Sequence, residues 1–141
     1  MTQASGTLEI RAPAPGLHDI TDTVTHWLES QRISAGLLTV FCTHTSASLV
    51  VQENTAHAAR HDLERFFDRI APEDSTLYTH NDEGPDDMPA HIRSALTQTQ
   101  LSIPVESGRM VLGTWQGVFL FEHRRDPPKR KLALNLIGEA A

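Results

Sequence analysis

Several segments of the chain alternate apolar and polar side chains with the two-residue period of a β-strand. Residues 7–12 and 131–138 show this alternation and predict half-buried strands. Residues 36–43 alternate little, which is typical of a strand at a central position of a sheet, and residues 113–123 predict another central strand. Residues 101–113 predict a hairpin, because two short strand-like runs flank a Ser-Gly turn.

Three other segments repeat apolar residues at helical spacing. Asp19, Asn54 and Pro89 mark the starts of the predicted helices, which end near residues 31, 70 and 97. Each helix is expected to bury its apolar stripe. These stripes are Ile20, Val24, Trp27 and Leu28 in the first helix, Ala56, Ala59, Leu63, Phe66, Phe67 and Ile70 in the second, and Ile92 and Leu96 in the third.

Together these elements predict an α+β fold in one domain that spans residues 1–141. The sheet is expected to be mixed but largely antiparallel, with two or three helices packed against it. Residues 73–88 form a long loop rich in Asp, Glu and Gly. Long loops inside a compact domain are usually functional or disordered, so this loop is a candidate part of a functional site.

Composition and charge restrict the functional classes. The formal net charge is −6, and the only basic cluster, residues 123–131, is interpreted as a solvated turn or a phosphate anchor. A nucleic-acid-binding chain would show a basic stripe, so we expect no nucleic-acid partner. No apolar run approaches the ~20 residues of a membrane span, no secretory signal is visible, and Cys42 is the only cysteine. These features predict a cytoplasmic protein with no membrane partner.

The stretch FCTHTSASLVVQEN, residues 41–54, places polar side chains where a buried strand is expected. On a continuous strand, His44, Ser46 and Ser48 would share one face, because side chains alternate between faces. Unpaired buried hydroxyls cost roughly 1–3 kcal/mol each, so this face is expected to bind something. Hydroxyls and backbone N–H groups suit phosphate oxygens or polar substrate atoms. The alternative for His44 is a histidine that is hydrogen-bonded inside the core.

A second cluster, HNDEGPDDMPAH, begins with His80 and ends with His91. Between them lie Asp82, Glu83, Asp86 and Asp87. Histidine and carboxylate together suit Zn²⁺ or another first-row metal, whereas oxygen-only ligand sets suit Mg²⁺ or Ca²⁺. The alternative is an exposed acidic loop with two incidental histidines.

The third cluster lies in the segment GTWQGVFLFEH, where Gln116, Glu122 and His123 are polar residues in or beside an apolar strand. Trp115 is expected to pack in the core. Glu122 is expected to be paired or functional, because unpaired buried carboxylates are rare. Outside the clusters, His57 and His61 have a spacing that can chelate metal, but they lie opposite the apolar stripe of their helix and are expected to face solvent or an interface.

Six motifs together resemble the YjbQ-like family. They occur in the order and spacing of that family between about residues 7 and 139, and no single one of them would be specific. The resemblance implies a small α+β fold that assembles as a homotrimer. It also implies secondary thiamine phosphate synthase activity, which joins hydroxymethylpyrimidine diphosphate to a thiazole phosphate and releases diphosphate. The motifs are HTSAS, QEN, RHDLERFF, NDEGPDDMPAHI, GTWQGVFLFEHR and LIGE.

The resemblance also implies which residues form the site. The histidine-bearing motifs place the metal ligands at His44, His80 and His91, with His123 as a fourth candidate, and the expected cofactor is a divalent metal, Zn²⁺ or Mg²⁺. The substrate is expected to be a small phosphorylated molecule. The residues assigned to catalysis are Asp87, Gln116 and Glu122, and those assigned to substrate binding are Ser46, Ser48, Asn54 and Asp62. The family often has Asn where this chain has Gln52, and we expect little effect from that difference.

Two other functions fit the same residues. A zinc ion on three histidines with an open position would give a hydrolase of a small phosphate ester or amide, with Glu122 as general base. A non-catalytic trimeric module that binds a metabolite or a metal is the third alternative. In the synthase interpretation, Arg93 or Arg109 would help to bind the diphosphate.

Overall fold

The computed structural model describes residues 1–141, which form eight strands and three α-helices. The helices are α1 (Thr21–Glu29), α2 (His57–Ile70) and α3 (Asp87–Leu96), and a 3₁₀ turn spans Ser75–Leu77. The strands are β1 (Thr2–Ile10), β2 (Gly16–Asp19), β3 (Ile33–Cys42), β4 (Ala47–Glu53), β5 (Gln100–Glu106), β6 (Arg109–Met110), β7 (Gln116–Glu122) and β8 (Arg130–Ala140). The predicted α+β class is confirmed.

The strands form two sheets, and every strand pair is antiparallel. The larger sheet has the order β1-β8-β3-β5-β6, and the smaller one has the order β2-β7-β4. The chain passes from the larger sheet to the smaller one at residues 43–46, between β3 and β4. The predicted hairpin is β5–β6, whose turn residues Ser107 and Gly108 both have positive φ, 52° and 73°. This turn suits the twist of a two-residue hairpin.

One apolar core lies between the two sheets. Strand β8 shows why, because its alternate residues 130, 132, 134, 136 and 138 are buried and the residues between them are not. These inward side chains meet those of β3 and β5 from the same sheet, those of β4 and β7 from the smaller sheet, and Val24 and Leu28 from α1. The opposite face of the larger sheet is open, and Leu37, Phe41 and Ile137 there are 43–47% exposed.

Helix α1 follows its sequence prediction closely. The Asp19 carboxylate accepts a hydrogen bond from the Thr21 backbone N–H at 2.9 Å, which satisfies one of the free donors at the helix start. Val24 and Leu28 are almost fully buried. Ile20, and not Asp19, is the N-cap residue, so the predicted cap is displaced by one position while the buried stripe is as expected.

Helix α2 differs from its prediction. It begins at His57, and Glu53 rather than Asn54 accepts the hydrogen bond from the Thr55 N–H ahead of it. None of its residues is buried, and Phe66 and Ile70 are 45% and 43% exposed, so the predicted buried stripe is wrong. The helix lies on the outer face of the three-stranded sheet, which is too narrow to cover both flanks of the stripe.

Helix α3 also buries a different face from the one predicted. Ile92 is only partly buried and Leu96 is 59% exposed, whereas Asp87 and Ser94 are buried together with Pro89 and Ala90. The buried face packs on β4, where the Ser94 hydroxyl donates to the Ala47 carbonyl at 3.0 Å. Asp87 and Ser94 can be buried because both side chains have hydrogen-bond partners inside the protein. Trp115 also differs from its prediction, because 61% of its surface is exposed.

None of the three helices has the length and apolar composition needed to cross a bilayer.

Candidate functional site

The polar stretch after β3 is a turn and not part of a strand. Since residues 43–46 connect the two sheets, His44, Ser46 and Ser48 do not share a strand face, and that prediction is wrong. Thr43 donates its hydroxyl to the Lys131 carbonyl at 2.8 Å, and the Ser46 carbonyl accepts from Arg130 at 3.1 Å. The desolvation cost anticipated for a polar strand is largely absent, because Thr43 and Thr45 are exposed on this turn.

A buried ion pair supports this turn. The Glu122 carboxylate accepts from Arg130 Nε at 2.7 Å and from its Nη2 at 2.5 Å, and both side chains are at most 2% exposed. Glu122 also accepts the backbone N–H groups of His123 and Arg124 at 3.0 and 3.1 Å. Glu122 is therefore paired, as one of the two expectations had it, and within this chain its carboxylate has no access to a substrate.

His44 uses its ring nitrogens inside the protein. Its Nε2 accepts the Lys131 N–H at 2.8 Å, and we therefore assign the ring proton to Nδ1, which lies 3.4 Å from Arg130 Nη1. Burial, followed by the charge of Arg130, lowers the pKa of His44 below its ordinary value. A metal at Nε2 would displace the Lys131 hydrogen bond, so the structure does not group His44 with the other two predicted ligands.

The strongest cluster of ligating atoms comes from the acidic loop and α3. His80 Nε2 and His91 Nε2 lie 2.8 and 3.0 Å from the same oxygen of Asp87, Oδ2. One ligand atom from each of the three residues lies within 4.8 Å of the other two. Asp87 is 1% exposed, whereas the His80 side chain is 41% exposed, so the cluster opens to solvent on the His80 side.

The hydrogen bonds around this cluster orient it toward a cation. His91 Nδ1 lies 3.0 Å from the Thr45 carbonyl and must donate to it, which leaves the Nε2 lone pair directed at the Asp87 carboxylate. Two electron-rich atoms at 3.0 Å require a positive charge between or on them, either a second ring proton or a metal ion. The negative charge of Asp87 also acts on His80, because the hydrogen bond between the two side chains raises the pKa of His80.

Arg124 holds the carboxylates of the loop in place. Its Nη1 donates to Asp87 Oδ1 at 2.6 Å, its Nε to Asp86 at 3.1 Å and its Nη2 to the Glu83 carbonyl at 2.9 Å. Burial acts to raise the pKa of Asp86, but the hydrogen bonds from Arg125 and Arg124 outweigh it and the pKa is lowered. The basic cluster is thus the exposed turn between β7 and β8 that was predicted, with Arg125, Lys129 and Lys131 exposed, except that Arg124 and Arg130 turn inward to form ion pairs. The sequence feature that could have indicated the role of Arg124 is the run EHRR, which places charged residues directly after a buried strand.

A polar pocket of about 300 Å³ adjoins the cluster. His91 forms one side of it, and His44 lies on the same wall as the turn between the sheets. Hydroxyl groups supply most of the remaining polar lining, from Thr45, Ser94, Thr97 and Thr99. The volume is at the small end of the range for small-molecule sites, and the lining is suited to a polar or anionic ligand.

Three of the predicted site residues lie elsewhere. Gln116 pairs with Glu53 at one end of β7, whereas Glu122 pairs with Ala47 at the other end. Gln116 and Glu122 are six residues apart on one strand, so their Cα atoms lie about 20 Å from each other. Asn54 bonds the Gln116 carbonyl at 3.3 Å, and Asp62 is exposed on α2. Within one chain, Asn54, Asp62 and Gln116 therefore do not line the pocket beside His91.

Ser48 and His123 form a buried polar pair behind the pocket. The Ser48 hydroxyl lies 2.9 Å from His123 Nε2 and 2.6 Å from the Thr97 hydroxyl. Both residues are at most 2% exposed, and burial, followed by the charges of Arg93 and Arg130, lowers the pKa of His123 to about 3. A buried ring bonded to Ser48 does not reach the His80–Asp87–His91 cluster. His123 is therefore not a fourth ligand, and Ser48 is not accessible to a substrate.

The low pKa of His123 predicts a pH dependence of stability. Between its ordinary value of 6.5 and about 3, the unfolded chain binds a proton at this ring that the folded chain does not. The free energy of unfolding should therefore fall with decreasing pH in this window, by about 1.4 kcal/mol per pH unit from this residue. Urea denaturation between pH 7 and 4 should show a steeper loss for the wild type than for His123→Gln. Equal slopes would contradict the assignment.

Comparisons with known proteins place the chain among related sequences. Residues 6–139 match the family model described as UPF0047 protein YjbQ-like. A UPF0047 protein of Synechocystis is 47% identical over 132 residues, which cover 94% of this chain and 90% of the relative. The UPF0047 protein YjbQ of Escherichia coli O157:H7 is 45% identical over 134 residues, covering 94% and 96%.

Solved structures show the same architecture. A conserved hypothetical protein from Thermus thermophilus superposes with a TM-score of 0.80 at 32% identity, covering 94% of this chain and 99% of that one. A YbjQ-like protein of unknown function from Sulfolobus solfataricus has a TM-score of 0.83 at 24% identity, covering 98% and 97%, and at that identity it shows the fold alone. These names describe a family and not an activity.

Proposed function

The chain belongs to the UPF0047 (YjbQ-like) family, and from that premise we propose that it is a divalent-metal-dependent enzyme acting on a small phosphorylated substrate. The observation that carries the proposal is the convergence of His80, Asp87 and His91 beside a polar pocket. The reaction we assign first is thiamine phosphate synthesis from hydroxymethylpyrimidine diphosphate and thiazole phosphate. A cytoplasmic location is part of the same proposal.

The residues of the cluster fit a first-row metal ion. Two imidazole nitrogens and one carboxylate oxygen suit Zn²⁺ and its neighbours better than Mg²⁺, which prefers oxygen ligands. His91 and Asp87 are each oriented through their second polar atom, by the Thr45 carbonyl and by Arg124. Such outer partners are a regular feature of metal sites because they fix the ligand atoms. A bound divalent cation would supply Lewis acidity toward phosphate oxygens.

The other residues of the pocket would bind and orient the substrate. The hydroxyls of Thr45 and Thr99 lie on the wall next to His91 and can donate to phosphate oxygens. The reaction breaks the bond between the pyrimidine methylene carbon and the diphosphate oxygen, and the thiazole nitrogen forms the new bond to that carbon. Diphosphate leaves with the electron pair. His80 lies at the open edge of the cluster, with 41% of its side chain exposed, so the departing diphosphate would leave the site past this residue.

The test is turnover by purified, metal-analysed protein. With the pyrimidine diphosphate and thiazole phosphate, and with Zn²⁺ or Mg²⁺ supplied separately, wild-type protein should form thiamine phosphate. His91→Gln should lose product formation at least about 100-fold, because this ring both ligates and lines the pocket. His61→Gln is the matched control, since His61 is exposed on α2, and it should retain activity. Metal binding without product would exclude the synthase reaction.

A second function is favoured by one observation, the nitrogen-rich donor set. Zn²⁺ bound by three protein ligands with an open position is typical of hydrolases. Because Glu122 is engaged with Arg130, and His80, Asp87 and His91 would all be ligands, the nucleophile in this alternative would depend on the lowered pKa of a zinc-bound water and not on Glu122 as general base. Phosphate-ester or amide hydrolysis with Zn²⁺, without synthase activity with either metal, would favour this function over the first. Tight metabolite binding with no turnover would favour the non-catalytic module.

We also propose that the chain assembles as a homotrimer, as the family resemblance implies. The supporting observation is the open face of the five-stranded sheet, where Leu37, Phe41 and Ile137 remain 43–47% exposed. Apolar surface of this kind is typical of an interface. Light scattering should give three times the chain mass of 15.6 kDa, and Phe41→Glu should give the mass of a single chain. A wild-type monomer would contradict the proposal.

A further inference from the structure

A cavity separate from the polar pocket lies beneath helix α2. Its volume is about 200 Å³, and it lies between α2 and the outer face of the three-stranded sheet, beside the edge-to-face contact of Phe67 with Phe121. Thr97 is the only residue that lines both this cavity and the polar pocket. The apolar lining comes from β2, β4 and β7 on one side and from α2 on the other, and consists of Leu17, Val50, Leu63, Phe67 and Phe121.

The helix above the cavity is held at a few points and not along its length. No residue of α2 is buried, so the helix makes few of the tight contacts that would hold it closed. Near its middle, the Glu64 carboxylate accepts the Leu17 N–H at 2.8 Å. At its C-terminal end, Arg93 bonds both the Asp68 carboxylate and the Ala71 carbonyl. Because these contacts are few, α2 is the side of the cavity that is expected to adjust when the cavity is filled.

Two buried polar atoms have no hydrogen-bond partner, Arg93 Nε and His123 Nδ1, and they belong to residues that adjoin the lining of the cavity without forming part of it. Arg93 lies one helical turn before Thr97 on α3, and its guanidinium reaches Asp68, the neighbour of Phe67. The His123 ring stacks against Phe121, with the ring centres 4.4 Å apart, and Phe121 lines the cavity. Leaving buried polar atoms unpaired is unfavourable, so both atoms point to a polar group that belongs between the helices and the sheet.

The chemistry of these atoms selects a carboxylate. Arg93 Nε–H is a donor on a permanently charged group. The neutral His123 ring can place its proton on Nδ1 while its Nε2 accepts from Ser48, which makes the second atom a donor as well. Two donors, one of them cationic, match the two oxygens of one carboxylate. The apolar lining and the volume match a body the size of a benzene ring, which is known to enter cavities of this size.

We propose that this cavity is a second binding site, for a compact monocarboxylic acid with an aromatic or branched apolar body. The apolar body lies against Phe67 and Phe121, and the carboxylate lies toward Arg93 and His123. The site is independent of the His80–Asp87–His91 cluster and does not require the proposed enzymatic function. The proposal rests on the largely apolar cavity and on the unpaired donors of two residues that adjoin its lining, of which His123 packs against Phe121.

The probe for this site is benzoate, titrated by calorimetry into chelator-treated protein so that no metal can bind the carboxylate. Two variants of the cavity are informative, Leu63→Phe, which fills it, and Arg93→Gln, which removes the charge. Each should weaken benzoate binding at least tenfold. Ile70→Phe makes a similar enlargement at an exposed position of the same helix and should leave binding unchanged. Asp87→Asn should also leave it unchanged.

Two further measurements keep the test independent of whether the variants fold. In wild-type protein, intermolecular nuclear Overhauser effects should connect the benzoate ring to the Val50 and Leu63 methyl groups. Toluene, which has the apolar body without the carboxylate, should bind at least tenfold more weakly than benzoate. The proposal is overturned by absence of saturable benzoate binding, by contacts at other methyl groups, or by equal binding of toluene.

Discussion

Replacing Asp87 with Asn is expected to weaken Zn²⁺ binding by at least about 100-fold. Removal of an outer-shell partner alone costs 10–100-fold in metal affinity, and Asp87 is placed as a ligand. The change removes the oxygen that faces both imidazole Nε2 atoms, at 2.8 and 3.0 Å, and the negative charge that attracts the cation. Calorimetry on metal-free protein gives the affinity, and elemental analysis gives the amount of metal retained on purification.

The matched control for this experiment is Asp82→Asn. Asp82 lies in the same loop and loses the same charge, but its side chain is 86% exposed and 3.7 Å from His80 Nδ1. Zn²⁺ affinity should change less than about threefold, because solvent screens an exposed charge. Zn²⁺ should also raise the melting temperature of the wild type and of Asp82→Asn but not of Asp87→Asn, since only a bound metal stabilises the folded state. Wild-type affinity in Asp87→Asn would exclude the cluster as a metal site.

The largest effect on stability is expected for Glu122→Gln. The substitution keeps the shape of the side chain but leaves the Arg130 guanidinium, at most 2% exposed, without a counter-charge. Breaking a buried ion pair from one side costs about 3–5 kcal/mol of unfolding free energy, because an uncompensated charge remains out of water. Arg130→Met should have a cost in the same range. Urea denaturation at pH 7 measures both.

The double variant Glu122→Gln, Arg130→Met separates the ion pair from the rest of the site. It leaves no unpaired charge, so its loss of unfolding free energy should be clearly smaller than the sum of the two single losses. The exposed pair Glu9 and Lys129, at 3.2 Å, is the control, and Lys129→Met should cost less than about 1 kcal/mol. Strict additivity in the buried pair would mean that the two charges do not interact.

The elements that could be predicted from the sequence are those whose cause is local. Alternation along β8, the Ser107-Gly108 turn and the buried stripe of α1 each depend on neighbouring residues, and each is found where expected. The approach of Asp87 to His91 is local as well, because residues i and i+4 of a helix lie on one face. The motifs that resemble the YjbQ-like family likewise identified the fold correctly.

The errors concern contacts between distant parts of the chain. The turn at residues 43–46 looks like a strand until β4 is known to lie in a second sheet. The helix α2 has an amphipathic sequence, but only the width of the sheet beneath it determines how much of its stripe is covered. Asn54, Asp62 and Gln116 have site-like chemistry, yet the fold places them away from the pocket beside His91.

The sequence by itself thus determined the strand and helix types, the family and the presence of a histidine–carboxylate loop. Only the tertiary structure decided which charges are partners. Glu122 pairs with Arg130, Asp87 with Arg124, and His44 with the backbone of β8. Periodicity is a property of neighbouring residues, whereas the burial of a charge and the identity of its partner depend on which distant segments meet. That is why the sequence could not show that Glu122 is paired with Arg130 or that Asp87 lies at the centre of the candidate site.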